Sequence, residues 1–159
     1  LSFKKVCLKE IILKIVNKYR SVADEKRIAI HTGRLPHSKV WADREQLERM
    51  FTNLVSNAVR YGRVGGWLTI AAARAPYMIE VKISDNGIGI PKKDLPLIFE
   101  RFYRVEKARS RGTGGVGLGL AIAKWIAEAH DGNITVKSIH RKGTSITVQL
   151  PVLQRRSIH

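Results

Sequence analysis

Leu8, Ile11, Ile12, Ile15, Val16 and Tyr19 recur at helical spacing, which predicts an amphipathic helix over residues 8 to 24. The segments "RIAIHT" and "KVWA" follow as two short strands separated by a Gly/Pro turn. Asp43, with Gln46 three residues on, forms a capping-box pattern that opens a second helix. Its apolar stripe is Leu47, Met50, Phe51, Leu54, Val55 and Ala58. "WLTIAAAR" and "MIEVKISD" alternate on either side of the Ala75-Pro76 break and predict a strand pair. A short helical turn after Pro91 gives way to an irregular glycine-rich segment. A third helix is expected over 118 to 130, and "NITVKS" and "TSITVQL" close the chain as a hairpin. Runs of strands with three separated helices predict an α+β sandwich of two layers. The 159 residues fit one domain, with 1–7 and 152–159 expected as peripheral tails.

Composition changes this picture little, since 44% hydrophobic and 26% charged residues are ordinary for a globular domain. Cys7 is the single cysteine, so an internal disulfide is excluded and a reducing compartment is consistent. No apolar run approaches the roughly 18 residues that span a bilayer, and the N-terminus has no signal-peptide pattern. The chain begins at Leu1 rather than methionine, so an excised piece of a longer protein is expected. The formal charge of +16 comes from 29 Lys and Arg against 13 Asp and Glu. These cations concentrate in the first forty positions and in "RFYRVEKARSR", residues 101 to 111. No recognised nucleic-acid module surrounds either stretch, so a solvated basic surface is favoured over duplex binding. An anionic small molecule or an acidic protein partner fits the charge as well.

Three stretches carry candidate chemistry. "NLVSNAVRY" places Asn53 and Asn57 four residues apart, stacked on one face of the second helix, followed by Arg60 and Tyr61. Asparagine costs helix stability and needs partners where it is partly buried, so two at this spacing suggest a ligand-facing row. Their amide oxygens are hard ligands suited to Mg²⁺, which leans on substrate phosphates for the rest of its shell. "SDNGIGIP" ends an apolar alternation with a carboxylate, an amide and two glycines. Read alone, it is either an ordinary Asp-Asn-Gly turn or a fixed acceptor beside backbone that can close on a flat ligand. "GTGGVGLGLAIAKW" matches G-x-G-x-x-G over residues 112 to 117, but a basic segment precedes it where a dinucleotide fold needs a strand. What survives is Gly115, Gly117 and Gly119 running into a helix N-terminus. Such a junction is either an anion site or a flexible loop.

Taken in order, these motifs resemble the ATP-binding catalytic domain of two-component sensor histidine kinases, within the gyrase/Hsp90/MutL-type superfamily. "NLVSNAVRY" resembles the family's N box and "DNGIGIP" its first glycine box; "IFERFYR" resembles its F box. "GVGLGLAIAK" resembles the second glycine box and "KGTSITVQLP" the closing strand. The resemblance covers nearly the whole chain. It implies a Bergerat-type fold, with a mixed, mostly antiparallel sheet covered on one face by about three helices. It also implies a kinase that uses ATP and Mg²⁺. Asp85 would accept from the adenine amino group, Gly87 and Gly89 would let the backbone close on the nucleotide, and Ile90 would lie against the ring. Thr144 would back up Asp85. Asn57 would be the Mg²⁺ ligand, with Asn53 supporting the metal's waters and the phosphates. Arg60, where the family commonly has lysine, would meet a phosphate, and Tyr61 would flank the nucleotide. Phe99 and Phe102 would pack the base of a lid spanning roughly residues 103 to 114, from which Arg104 would reach a phosphate. Gly115, Gly117, Leu118 and Gly119 would wrap the phosphate side.

The resemblance also implies what lies elsewhere. In the family the phosphate-accepting histidine sits on a helical hairpin, ahead of an acidic residue and a proline. His31, His37, His130, His140 and His159 all lack that setting and are expected to be structural or surface residues. The implied partners are a separate histidine-bearing dimerisation domain and a response-regulator receiver domain, with no nucleic acid. The piece is expected to be monomeric and the full protein a homodimer. The expected location is cytoplasmic, with the full protein attached to the inner membrane. The competing class is an ATP-hydrolysing switch of the same superfamily, which carries a water-activating glutamate in the place of Asn53. A third class is a degenerate nucleotide-sensing module, against which the intact motifs argue.

Overall fold

The computed structural model describes residues 1–103 and 116–152, the side chains of 116–119 excepted. Strand β1 (Lys4–Cys7) leads directly into helix α1 (Leu8–Glu25). Strands β2 (Ala29–Thr32) and β3 (Lys39–Ala42) precede helix α2 (Arg44–Arg60). Strands β4 (Trp67–Arg74) and β5 (Met78–Asp85) come next, then a 3₁₀ turn at Leu95–Leu97. Helix α3 (Val116–Ala129) and strands β6 (Asn133–Ile139) and β7 (Gly143–Pro151) complete the domain.

The main sheet has the order β2-β4-β5-β7-β6, with β2 parallel to β4 and every other pairing antiparallel. Alternation along the strands sends Leu68, Ile70, Ile79, Val81, Ile83, Ile146, Val148 and Leu150 into the core. They meet Ile11, Ile12, Leu47, Phe51, Leu54, Ala123 and Ile126 from the three helices. The other face carries Ser84, Ser145, Thr147 and Lys137 and is not buried. The architecture is the expected two-layer sandwich.

One expectation needs correction. The two short strands part company: β2 joins the edge of the main sheet, and β3 pairs with β1 in a separate two-stranded ribbon. Residues 1–7 are therefore not a simple tail, because residues 4–7 form β1 and Val6 is buried opposite Val40. At the other end Val152 is also buried, its N–H donating to Tyr77 O at 3.0 Å; residues 153–159 lie outside the described residues.

Local chemistry sets the helix ends that frame the site. Asp43 Oδ1 accepts from the Gln46 N–H at 3.1 Å, which is the N-cap half of the capping box. The reciprocal half is missing, since Gln46 Oε1 is buried without a partner. At the other end of α2, Lys26 Nζ donates to the carbonyls of Val59, Arg60 and Gly62 at 2.9, 2.9 and 3.0 Å. A cation there satisfies carbonyls that the helix leaves open and complements the negative end of its dipole. Burial lowers the Lys26 pKa below its ordinary value. The helix end fixed in this way positions Tyr61.

Candidate functional site

An open cleft lies between α2, the end of β5, the loop after it and β7. Leu54, Ala58, Ile83, Ile88, Leu120 and Ile146 make its walls apolar, and Asn57, Tyr61, Asp85 and Thr144 supply the polar groups. A mostly apolar slot with a few convergent polar groups is the usual form of a small-molecule site. β5 and β7 place Asp85 directly opposite Thr144 at the sheet end. The Gly87 N–H donates to Asp85 Oδ1 at 2.8 Å. Burial raises the Asp85 pKa, while the backbone N–H groups of Gly87 and Thr144 pull it back down. A carboxylate held in an apolar slot with lone pairs to spare is an acceptor for an N–H-bearing ring.

The loop after β5 is shaped by close backbone approaches. A Cβ on Gly87 would lie 2.4 Å from Tyr61 O, and one on Gly89 would lie 2.2 Å from Ile139 O. Gly89 also has φ +66°, in the left-handed region that glycine tolerates. The Ile88 N–H donates to Tyr61 O at 3.1 Å, and the Arg141 N–H donates to Ile88 O at 2.6 Å. These contacts stitch the loop to the end of α2 and to the β6–β7 turn. The two glycines are therefore required by the protein's own packing.

Asn57, Tyr61, Asp85, Gly89, Ile90 and Thr144, of the residues expected from sequence, line the cleft together. Gly87 touches it through its hydrogen bond to Asp85. Asn53 is half-buried one turn before Asn57, and Arg60 is exposed at the last position of α2; neither lines the cleft. Phe99 is half-buried against the core, with Lys124 Nζ 5.6 Å from its ring centroid. Phe102 is 70% exposed at φ +66°, stacked under Arg101, and does not line the cleft. Gly117, Leu118 and Gly119 lie in the first turns of α3, which begins two residues earlier than the expected 118. Arg104, Gly115 and nearly all of the expected lid lie outside the described residues.

Several contributors were not singled out from sequence. Leu54, Ala58, Ile83, Leu120 and Ile146 read there as core or strand positions, and only the fold reveals that they also wall a cleft. Ser138 on β6, whose hydroxyl receives the Ile90 N–H at 2.8 Å, gave no signal beyond a strand serine. Asp94 is buried at the head of the 3₁₀ turn, where Tyr103 Oη donates to its Oδ1. The Asn57 Nδ2 atom is buried and lacks a hydrogen-bond partner within the protein. An orphaned amide facing a cleft is the condition expected of a group that completes its shell with a ligand.

Residues 42–154 match the family model described as histidine kinase-, DNA gyrase B- and HSP90-like ATPase. The chain belongs to this ATPase family. The sensor-like histidine kinase SenX3 of Mycobacterium tuberculosis is 41% identical over 143 residues, covering 90% of this chain and 35% of that protein. The sensor histidine kinase WalK of Bacillus subtilis is 47% identical over 111 residues, 69% of this chain and 18% of WalK. The chain thus spans about a third or less of these relatives' lengths. Among solved structures, the mycobacterial sensor histidine kinase MprB superposes with a TM-score of 0.83 at 30% identity, covering 96% of this chain and 100% of that one. ATPase membership fits the cleft. Its apolar slot ending on Asp85 suits a purine, and the unpaired Asn57 Nδ2, a donor, suits an acceptor such as a phosphate oxygen or a ring nitrogen. No cluster of three His, Cys, Asp or Glu able to hold a metal occurs among the described residues. A metal here would therefore rest on amide oxygen and on the nucleotide's own phosphates, as Mg²⁺ commonly does. No helix among the described residues is long and apolar enough to cross a membrane.

Proposed function

We propose that the chain is the catalytic, ATP-binding half of a sensor histidine kinase. It binds ATP with Mg²⁺ and presents the γ-phosphoryl group to a histidine on a separate dimerisation domain, for relay to a response regulator. The observation that carries this reading is Asp85, a partly desolvated acceptor at the end of an apolar cleft, in a chain aligned over 90% of its length with a sensor kinase.

Asp85 and Thr144 hold the base, Ile90 and Tyr61 flank it, and Gly87 and Gly89 let the loop close. Asn57 is the metal ligand, Asn53 supports the metal's waters, and Arg60 meets a phosphate, bidentately where lysine would be a point charge. Arg104, Gly115, Gly117, Leu118 and Gly119 belong to the phosphate side. Bound Mg²⁺ would neutralise charge on the phosphates, which is most of what phosphoryl transfer asks for. Position 53 carries an amide, which has no useful basicity, so activation of water is disfavoured and transfer is favoured over hydrolysis. The full-length protein is a membrane-attached homodimer and this piece is a cytoplasmic monomer.

The test is calorimetry with ATP and Mg²⁺, then radiolabelled ATP with and without the cognate helical hairpin in trans. The chain alone binds ATP, releases negligible phosphate and does not label itself, and label appears on the hairpin histidine when that partner is supplied. Brisk phosphate release by the chain alone would establish the hydrolysing switch instead. Acid-stable label on the chain would point to a serine or threonine kinase.

A further inference from the structure

The hydroxyl of Ser138, half-buried on β6, meets three groups at once. The Ile90 N–H donates to Ser138 Oγ at 2.8 Å, Ser138 Oγ donates to Gly143 O at 2.9 Å, and Thr144 Oγ1 lies 2.8 Å from Ser138 Oγ. A serine hydroxyl has one proton and two lone pairs. The Gly143 carbonyl can only accept, so it takes the proton. The Ile90 amide can only donate, so it takes one lone pair. One arrangement is left for the third contact: Thr144 donates its hydroxyl proton to the second lone pair of Ser138. That proton is then committed to β6, and Thr144 offers only lone pairs to the cleft it lines. Its cross-strand partner is Asp85, whose carboxylate is also an acceptor.

We infer that Ser138 is a positioning residue that sets the base preference of the cleft. It holds Thr144 as an acceptor beside Asp85, so the pair selects a heterocycle offering an amino group over one offering a carbonyl. The inference rests on the nucleotide reading above and deepens it, since it assigns base selectivity to a residue outside the cleft lining.

The experiment measures ATP and inosine triphosphate affinity by calorimetry in the wild-type chain, Ser138→Ala, Ser138→Thr and Ser138→Ala with Thr144→Val. In Ser138→Ala the Thr144 hydroxyl is released, can rotate, and can donate to the inosine carbonyl. The preference for ATP over inosine triphosphate falls about fivefold or more, the size expected for one regained hydrogen bond. Ser138→Thr restores the wild-type preference, and the double variant loses the gain for inosine. An equal loss for both nucleotides in Ser138→Ala would overturn the inference, leaving Ser138 as a fastener of the loop. Should Ser138→Ala fail to fold, Thr144→Val is measured with ATP and with purine riboside triphosphate, which lacks the amino group. The expected result is weaker ATP binding with purine riboside triphosphate unchanged; equal weakening would overturn the inference. A wild-type chain that binds no purine nucleotide refutes the nucleotide reading itself, a result distinct from an unchanged preference, and the inference falls with it.

Discussion

The Asp43 N–H donates to Nε2 of His130 at 3.0 Å, a buried bond between residues 87 positions apart that ties the start of α2 to the end of α3. The other ring nitrogen, Nδ1, lies 2.7 Å from Ile126 O, so it carries the proton and the ring is the neutral Nδ1–H tautomer. Phe3 packs at a tilt against the same imidazole, with 5.2 Å between centroids. His130 is thus a structural clamp on the helical layer beneath the cleft.

Replacing His130 separates the two parts of this clamp. His130→Phe keeps a ring against Phe3 but leaves a buried N–H and carbonyl unpaired, at a cost of about 1–3 kcal/mol. His130→Ala also leaves a cavity and costs more, about 3–5 kcal/mol. Urea unfolding of the two variants measures both values, and equal losses would mean that packing contributes nothing.

What was legible in the sequence follows the range of each interaction. The Asp43 cap and the stripes of α1 and α2 depend on neighbours three or four residues away, and they match the structure closely. Asp85 and its glycines read locally as a turn or a ligand-holding loop alike, and only their order among the other motifs pointed to a nucleotide. The β1–β3 ribbon was not, because its register joins Val6 to Val40 across the whole of α1. Four-residue strands carry too little alternation to announce such a pairing. Phe102 was named only through the F-box resemblance, and nearly all of the lid it was expected to support lies outside the described residues. Ser138 was invisible because its role arises only where three chain segments converge on one oxygen.

Gly89→Ala tests whether the loop is held by its own packing. The left-handed backbone alone costs roughly 1–2 kcal/mol for a residue with a Cβ. The added methyl would also sit 2.2 Å from the carbonyl of Ile139, so the loop must move. The expected loss is about 2–4 kcal/mol in urea unfolding, with accelerated exchange of the Ile88 and Arg141 amides. A stable variant with unchanged exchange would show that the approach is not constraining.

Asn57→Ala separates folding from ligand binding. Its Nδ2 has no partner in the free protein, and alanine is the better helix former. Stability should therefore rise by about 0.5 kcal/mol. Nucleotide affinity in the presence of Mg²⁺ should fall at least about tenfold, the loss typical even of a metal site's outer shell, while affinity in chelator changes little. Calorimetry under the two conditions is the check. Equal losses with and without Mg²⁺ would move Asn57 from metal binding to direct contact with the nucleotide.

Asp85→Asn should trade affinity for stability, with opposite signs that pH can separate. The nucleotide base is proposed to donate to this carboxylate, and an amide that turns its own donor toward the ligand costs about 1.5–3 kcal/mol, or roughly 10- to 150-fold in affinity. In the ligand-free protein the same carboxylate is a liability, because burial raises its pKa despite the N–H groups of Gly87 and Thr144. A carboxyl with a folded pKa above its unfolded value stabilises the fold most below the unfolded value, near the ordinary 3.8 of an aspartate. That contribution fades as pH rises through the folded value. At neutral pH wild type therefore carries an ionised, desolvated Asp85, and Asp85→Asn, which keeps an oxygen to accept from the Gly87 N–H, should melt higher. Below the unfolded pKa both proteins have a neutral side chain there, and the difference should close. Melting curves from pH 3 to 8 provide the measurement, with ATP affinity at pH 7 as the companion. A variant that melts lower than wild type at neutral pH would show that the Gly87 and Thr144 bonds outweigh the burial of the charge.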